Sequence, residues 1–311
     1  MGALEVGIRA PHGVFSAGPD EISRFASAAE AGGLDRIWVG DHVSFRGGQG
    51  YDGLLQAAVL ATLTRRVTVQ TAVYLLPLRH PLPVARQVAS VAELAPGRFV
   101  FGVGIGGDDE KETANCGVDP ARRGRRADES LTLVRRLLAG DVVDHPGPDF
   151  PLSEAAIRPT PAVPVPIAVG GRSDPALGRA ARLSDGWLGV FVDPPRYEHS
   201  VRAVEEQAQM AGRVQVAWQH GVLIWCGFGP NGESAREMVA PAVEGLYRMP
   251  FEQFERYVPC GRPAQVARAI EPYVSAGVSY VLLSPFASCP DEAMDSALAV
   301  KALLAGAQES G

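Results

Sequence analysis

A closed barrel of eight parallel strands, each followed by a helix, is the fold this sequence predicts, and three observations predict it. Apolar strand-like runs alternate with helical patterns, the alternation counts to eight, and no composition shift, internal repeat or low-complexity segment divides the chain. Strand-helix-strand order requires parallel pairing through crossover helices, and eight such units are what a (β/α)8 TIM barrel needs to close. The chain has 311 residues, 46% of them hydrophobic, which suffices for one large core, so residues 1–311 are read as a single α/β barrel domain.

Strands are expected at residues 4–8, 36–39, 67–74, 99–103, 165–169, 186–191, 214–225 and 279–283. Helical patterns between them include 20–31, 82–94, 122–139, 175–183 and 263–276, several closing on glycine as helices commonly do. Pro19-Asp20-Glu21 places proline and acidic residues at a helix start, where the fixed φ and the macrodipole favour them. Two stretches, 108–120 and about 227–259, exceed the usual spacing. Both follow strand ends, so both are read as insertions over the C-terminal rim, the face that carries active sites in this fold. The run from Pro159 to Pro166 reads as an extended approach to the fifth strand.

A net charge of -6 offers no general attraction to nucleic acid or to an anionic membrane, which leaves a small molecule as the expected partner. Cys116, Cys226, Cys260 and Cys289 are widely spaced and lack metal-ligand patterns, so reduced thiols in a cytoplasmic protein and no metal site are expected. The first residues show no basic segment before an apolar run, and no apolar stretch is long enough for a membrane span.

The chemistry is sought at strand ends. Asp41-His42 follows the second strand, where an imidazole can exchange protons near neutral pH beside an orienting carboxylate. The same pair also suits a turn cap followed by a satisfied polar residue. His12 and His220 are weaker rim candidates, and His80, ahead of Pro81, reads as a helix start. Gly102, Gly104 and Gly107 satisfy the dinucleotide fingerprint literally, but they lie on about the fourth strand and precede Asp108-Asp109-Glu110, which would repel a pyrophosphate. Close approach of a planar ligand or phosphate to bare backbone, or tight packing, are the two remaining readings. Gly170-Gly171-Arg172-Ser173 leads from strand to helix and can offer amides, a guanidinium and a hydroxyl to a phosphate, or serve as an ordinary capped turn. No nucleophile elbow, P-loop or zinc signature is present, so a cofactor is expected to carry the reaction.

With these segments in order, the chain resembles the luciferase-like monooxygenase superfamily, in particular its branch using the deazaflavin coenzyme F420. The resemblance runs through residues 36–43, 67–81, 96–106, 166–171, 180–187 and 260–277, nearly the whole chain. It implies a cofactor in the C-terminal mouth, Asp41 against the deazaflavin and His42 beside the carbon that exchanges hydride. It also implies a non-prolyl cis peptide at Ala72-Val73 behind the ring, Gly104, Ile105, Gly106 and Gly107 along the ribityl-phosphate chain, and Gly170, Gly171, Arg172 and Ser173 on phosphate. A homodimer and a separate F420-reducing enzyme are further implications.

Gly107 stands where the sugar-phosphate dehydrogenases of that group carry a glutamate acid, which disfavours glucose 6-phosphate; Asp108, Asp109 or Glu110 could supply a displaced carboxylate. Arg122, Arg123, Arg125 and Arg126 either attract the polyglutamate tail of F420 or form a solvated helix face. The resulting expectation is an F420-dependent oxidoreductase. Its rivals are an FMN-dependent monooxygenase fed by a flavin reductase, and a cofactor-binding barrel without catalysis. A Schiff-base lyase is disfavoured, since the two lysines, Lys111 and Lys301, end no strand.

Overall fold

The computed structural model describes residues 3–107 and 109–309. Eight strands form the barrel: β1 (Glu5–Arg9), β2 (Arg36–Val39), β3 (Thr68–Thr71), β4 (Phe99–Gly104), β5 (Ile167–Gly170), β6 (Gly186–Val190), β7 (Gly221–Phe228) and β8 (Tyr280–Phe286). Each pairs in parallel with the next, and β8 returns to β1 in a register running from Glu5 opposite Tyr280 to Ile8 opposite Leu283, so the sheet closes. The outer ring is α1 (Pro19–Ala31), α2 (Gly53–Leu63), α3 (Pro81–Leu94), α4 (Arg123–Leu138), α5 (Asp174–Leu183), α6 (Pro194–Met210), α7 (Pro263–Ser275) and α8 (Pro290–Glu309).

Alternation along the strands sorts the core into two layers. Val6, Ile8, Ile37, Val39, Val69 and Phe101 point outward and pack under the helices, each such large side chain stabilising the fold by ~1.5–3 kcal/mol. Their neighbours Trp38, Leu188, Leu223, Trp225, Tyr280 and Leu282 point inward and fill the barrel. Beneath them sits a polar floor. Arg36, buried, donates to Glu5 at 2.5 Å, Gln70 at 2.9 Å and Gln219 at 3.4 Å, and lies 4.0 Å above the Tyr280 ring. Gly7 makes room for it, since a Cβ there would stand 2.7 Å from that of Arg36.

Both expected insertions cap the C-terminal rim. One carries the short helix Glu110–Asn115; the other carries the helix Gly232–Tyr247, two 3-10 turns and Cys260–Gly261, which pairs with the end of β7. The sequence did not foretell the antiparallel hairpin Val143–His145/Leu152–Ala155, which precedes β5 and so lies towards the opposite end. The expected strand at 214–225 begins instead at Gly221. Residues 214–219 have strand-like alternation but hold no ladder, Val214 being 71% exposed, while β7 continues to Phe228.

Candidate active site

The segment after β2 is shaped by Asp41. Its Oδ1 accepts from the Gly53 amide at 2.8 Å and Arg79 at 2.9 Å, and its Oδ2 accepts from the Leu75 amide at 2.9 Å and Arg79 at 2.7 Å. Arg79 also reaches Asp52, the cap of α2, at 3.1 Å and stacks on Tyr74. Burial pushes the Asp41 carboxyl up, opposed by Arg79 and the two amides. The resemblance set Asp41 against the deazaflavin. In the folded chain the side chain has no exposed surface and its four hydrogen bonds brace β2, α2 and the β3 turn.

His42 is partly exposed, and its Nδ1 lies 3.0 Å from Oε2 of Glu112. Glu112 is buried, and its other oxygen accepts from the Val43 and Ser44 amides at 2.7 and 3.0 Å. The carboxylate therefore fixes the ring and leaves Nε2 as the nitrogen available for chemistry. Sequence reasoning missed Glu112. The displaced carboxylate was sought at residues 108–110: Asp109 instead caps the short helix and holds the Arg46 amide, Glu110 is exposed, and Asp108 lies outside the described residues. Asp109 followed three residues later by Glu112 reads as a capping pair, and that was the one signal there was. Only the folded rim turns Glu112 to His42.

His42 lines a cavity of about 610 Å³ between the ends of β1, β2, β7 and β8, with Arg9, His12, Phe45, Trp225 and Phe286 among its walls. Burial, then Arg9 and His42, lower the pKa of His12 and favour its neutral form. His220, in contrast, is no rim residue. It lies just ahead of β7, at the opposite end of the barrel, buried, its Nδ1 accepting from the Trp187 amide at 3.0 Å, and burial pulls it down to about 4. His80 caps α3, accepting from the Leu82 amide.

Around β4 and β5 the residues are bare. The peptide bond Ala72-Val73 is cis. A Cβ at Gly104 would stand 2.4 Å from Val73 Cγ2, one at Gly170 2.9 Å from Val73 Cγ1, and one at Gly102 1.9 Å from the Thr71 carbonyl. Part of the glycine run thus serves packing around Val73. Gly106, Gly107 and Gly171 adopt φ of 67°, 143° and 122°, which favour glycine. Gly104, Ile105 and Gly170 line one small recess with Arg179; Arg172 and Ser173 line another, of about 500 Å³, with Phe191, Arg196 and Arg256. Ser173 caps α5 without a side-chain hydrogen bond. The predicted residues are therefore neighbours on the rim, spread over separate recesses. Of the four arginines near residue 124, Arg122 and Arg126 pair with Asp149, and a Cβ at Gly107 would lie 3.1 Å from Arg123. Among the described residues no cluster suits a metal ion.

Comparison with known proteins accords with this geometry. The profile of the luciferase-like monooxygenase family matches residues 4–256. An uncharacterized protein of Mycobacterium tuberculosis is 36% identical over 156 residues, 50% of this chain and 54% of that protein, so the chain spans about half the length of the first curated relatives it matches. The F420-dependent glucose-6-phosphate dehydrogenase of Kineococcus radiotolerans is 28% identical over 310 residues, 90% of each chain. Among solved structures, an F420-dependent secondary alcohol dehydrogenase in complex with an F420-acetone adduct has a TM-score of 0.83 at 20% identity, covering 97% of this chain and 99% of that one, a likeness of fold. The family profile over most of its length, on a barrel with a polar rim of this kind, makes the chain a member of the luciferase-like monooxygenase family.

Proposed function

We propose that this protein is a coenzyme F420-dependent oxidoreductase acting on a small organic substrate beside His42. The observation that carries the reading is the His42–Glu112 pair at the wall of a roomy cavity, on the same barrel rim as two glycine-rich strand ends. The residues present fit a flat, phosphate-tailed group. A Cβ at Gly40 would meet nothing within 4 Å, Gly106 and Gly171 hold left-handed backbone, and the Ser173 hydroxyl makes no capping hydrogen bond at the start of α5. Gly104, Ile105, Gly106 and Gly107 would border its chain; Gly170, Gly171, Arg172 and Ser173 would hold its phosphate; Ala72 and Val73 would back its ring.

Bound there, a deazaflavin supplies a two-electron acceptor or donor of hydride. The chain's own contribution is the proton. Glu112 accepts from Nδ1 of His42, and Nε2 then takes a proton from a substrate hydroxyl or returns one to a carbonyl. Asp41 and Arg79 hold the loop on which His42 stands. Glucose 6-phosphate is not the substrate in this reading, because Gly107 leaves no side-chain acid there and Glu112 is committed to His42, Val43 and Ser44. A separate F420-reducing enzyme completes the cycle, and a homodimer is the expected assembly. Separate fluorescence titrations with F420 and FMN test the proposal. Binding of F420 at about micromolar concentration supports it; FMN binding at that level with none of F420 overturns it.

A further inference from the structure

Arg9 ends β1 on the inner face of the barrel and lines the 610 Å³ cavity. Its guanidinium lies 5.8 Å from the Trp38 ring and 5.5 Å from the Trp225 ring. Among the described residues none accepts a hydrogen bond from it, and no aspartate or glutamate lines the cavity. Burial lowers its pKa, countered in part by Tyr247, yet a guanidinium stays charged, and the neighbouring His12 is also held from protonating. The room thus contains a partly buried cation with no carboxylate on its walls, which include Phe25, Phe45, Leu246 and Phe286. A guanidinium flanked by two indoles and facing an apolar-walled cavity has its donors free for an anion that enters.

We infer that Arg9 is a substrate-anion site, and that the cavity takes a molecule with a carboxylate on an aromatic or aliphatic skeleton. The planar fork of Arg9 matches a carboxylate with two parallel hydrogen bonds, and the two indoles hold the fork in place. The apolar walls receive the skeleton and place its reacting carbon towards His42, which shares the cavity. The phosphate edge at Gly170-Gly171 belongs to other strands, so the two anions do not compete. This inference rests on the cavity being the substrate room of the proposed F420 enzyme.

Benzoate and benzamide, matched in shape and unlike in charge, are suitable probes. Trp38 and Trp225 flank Arg9, so tryptophan fluorescence of the purified full chain without cofactor reads their binding. Benzoate should bind at least tenfold more tightly than benzamide, Arg9→Met should abolish that preference, and Arg9→Lys should keep part of it. Equal affinities in the native protein, or an undiminished preference in a folded Arg9→Met, overturn the inference. So does an Arg9→Met variant that keeps the preference but loses F420, because Arg9 would then serve the cofactor. Preference for benzoate in a protein that does not bind F420 supports the anion site and counts against the cofactor reading alone.

Discussion

Arg9 and Arg36 are inward-facing arginines on neighbouring strands, and their surroundings are opposite. Arg36 closes the barrel floor with Glu5, Gln70 and Gln219 as acceptors and Tyr280 beneath it. Arg9, at the mouth, has two tryptophan faces and an open cavity. The same contrast separates the histidines: His220 is sealed near the floor, while His42 at the rim keeps one nitrogen towards the cavity. Polar groups at the floor are held by protein partners or shut away from water, whereas those at the mouth face an open cavity.

The contrast is tested most strongly at His42. His42→Ala should lower turnover on the best substrate found about 10²- to 10⁴-fold, with F420 affinity changed by less than about threefold. Unchanged turnover would remove the rim histidine from the chemistry.

Next comes the floor's response to pH. The folded state holds His220 at about 4, below its ordinary 6.5, so the unfolded chain binds the extra proton first as pH falls. The native protein should therefore lose about 3 kcal/mol from this group between pH 6.5 and 4 and nothing further from it below that. In His220→Gln, urea melts at pH 7 and 4.5 should differ by clearly less than in the native protein; an identical pH slope would show that the floor histidine is not sealed.

Arg36→Met should cost about 2–3 kcal/mol in denaturant melts, since it leaves the buried Gln70 oxygen unpaired and removes the stacking on Tyr280. Arg9→Met should stay within about 1 kcal/mol, the scale of the cation–π contacts it loses. Equal losses would erase the distinction between the two arginines. In the bare edge, Gly104→Ala should cost about 1–2 kcal/mol by crowding Val73, and Val73→Ala should relieve it. An additive pair would separate that glycine from Val73.

The eight strand segments could be read along the chain because each alternates or runs apolar between turn residues, a local property. His42 and the glycine edges could be found for the same reason: they sit where strands stop. Glu112 could not, since its sequence neighbourhood suits a capping box and its partner is 70 residues away. Asp41 was found, but its bracing role was not, because nothing local shows that Arg79, 38 residues on, pairs with its oxygens.

The order of apolar and polar residues was thus enough for the barrel, its rim insertions and the strand ends where His42 and the glycine edges lie. Which carboxylate touches His42, which histidine is sealed and which arginine faces the cavity between two indoles depended on contacts between residues far apart in the chain. Hydrophobic periodicity is written residue by residue, but the satisfaction of a buried charge is settled only when the strands close and its partners are brought within hydrogen-bond reach or kept from it.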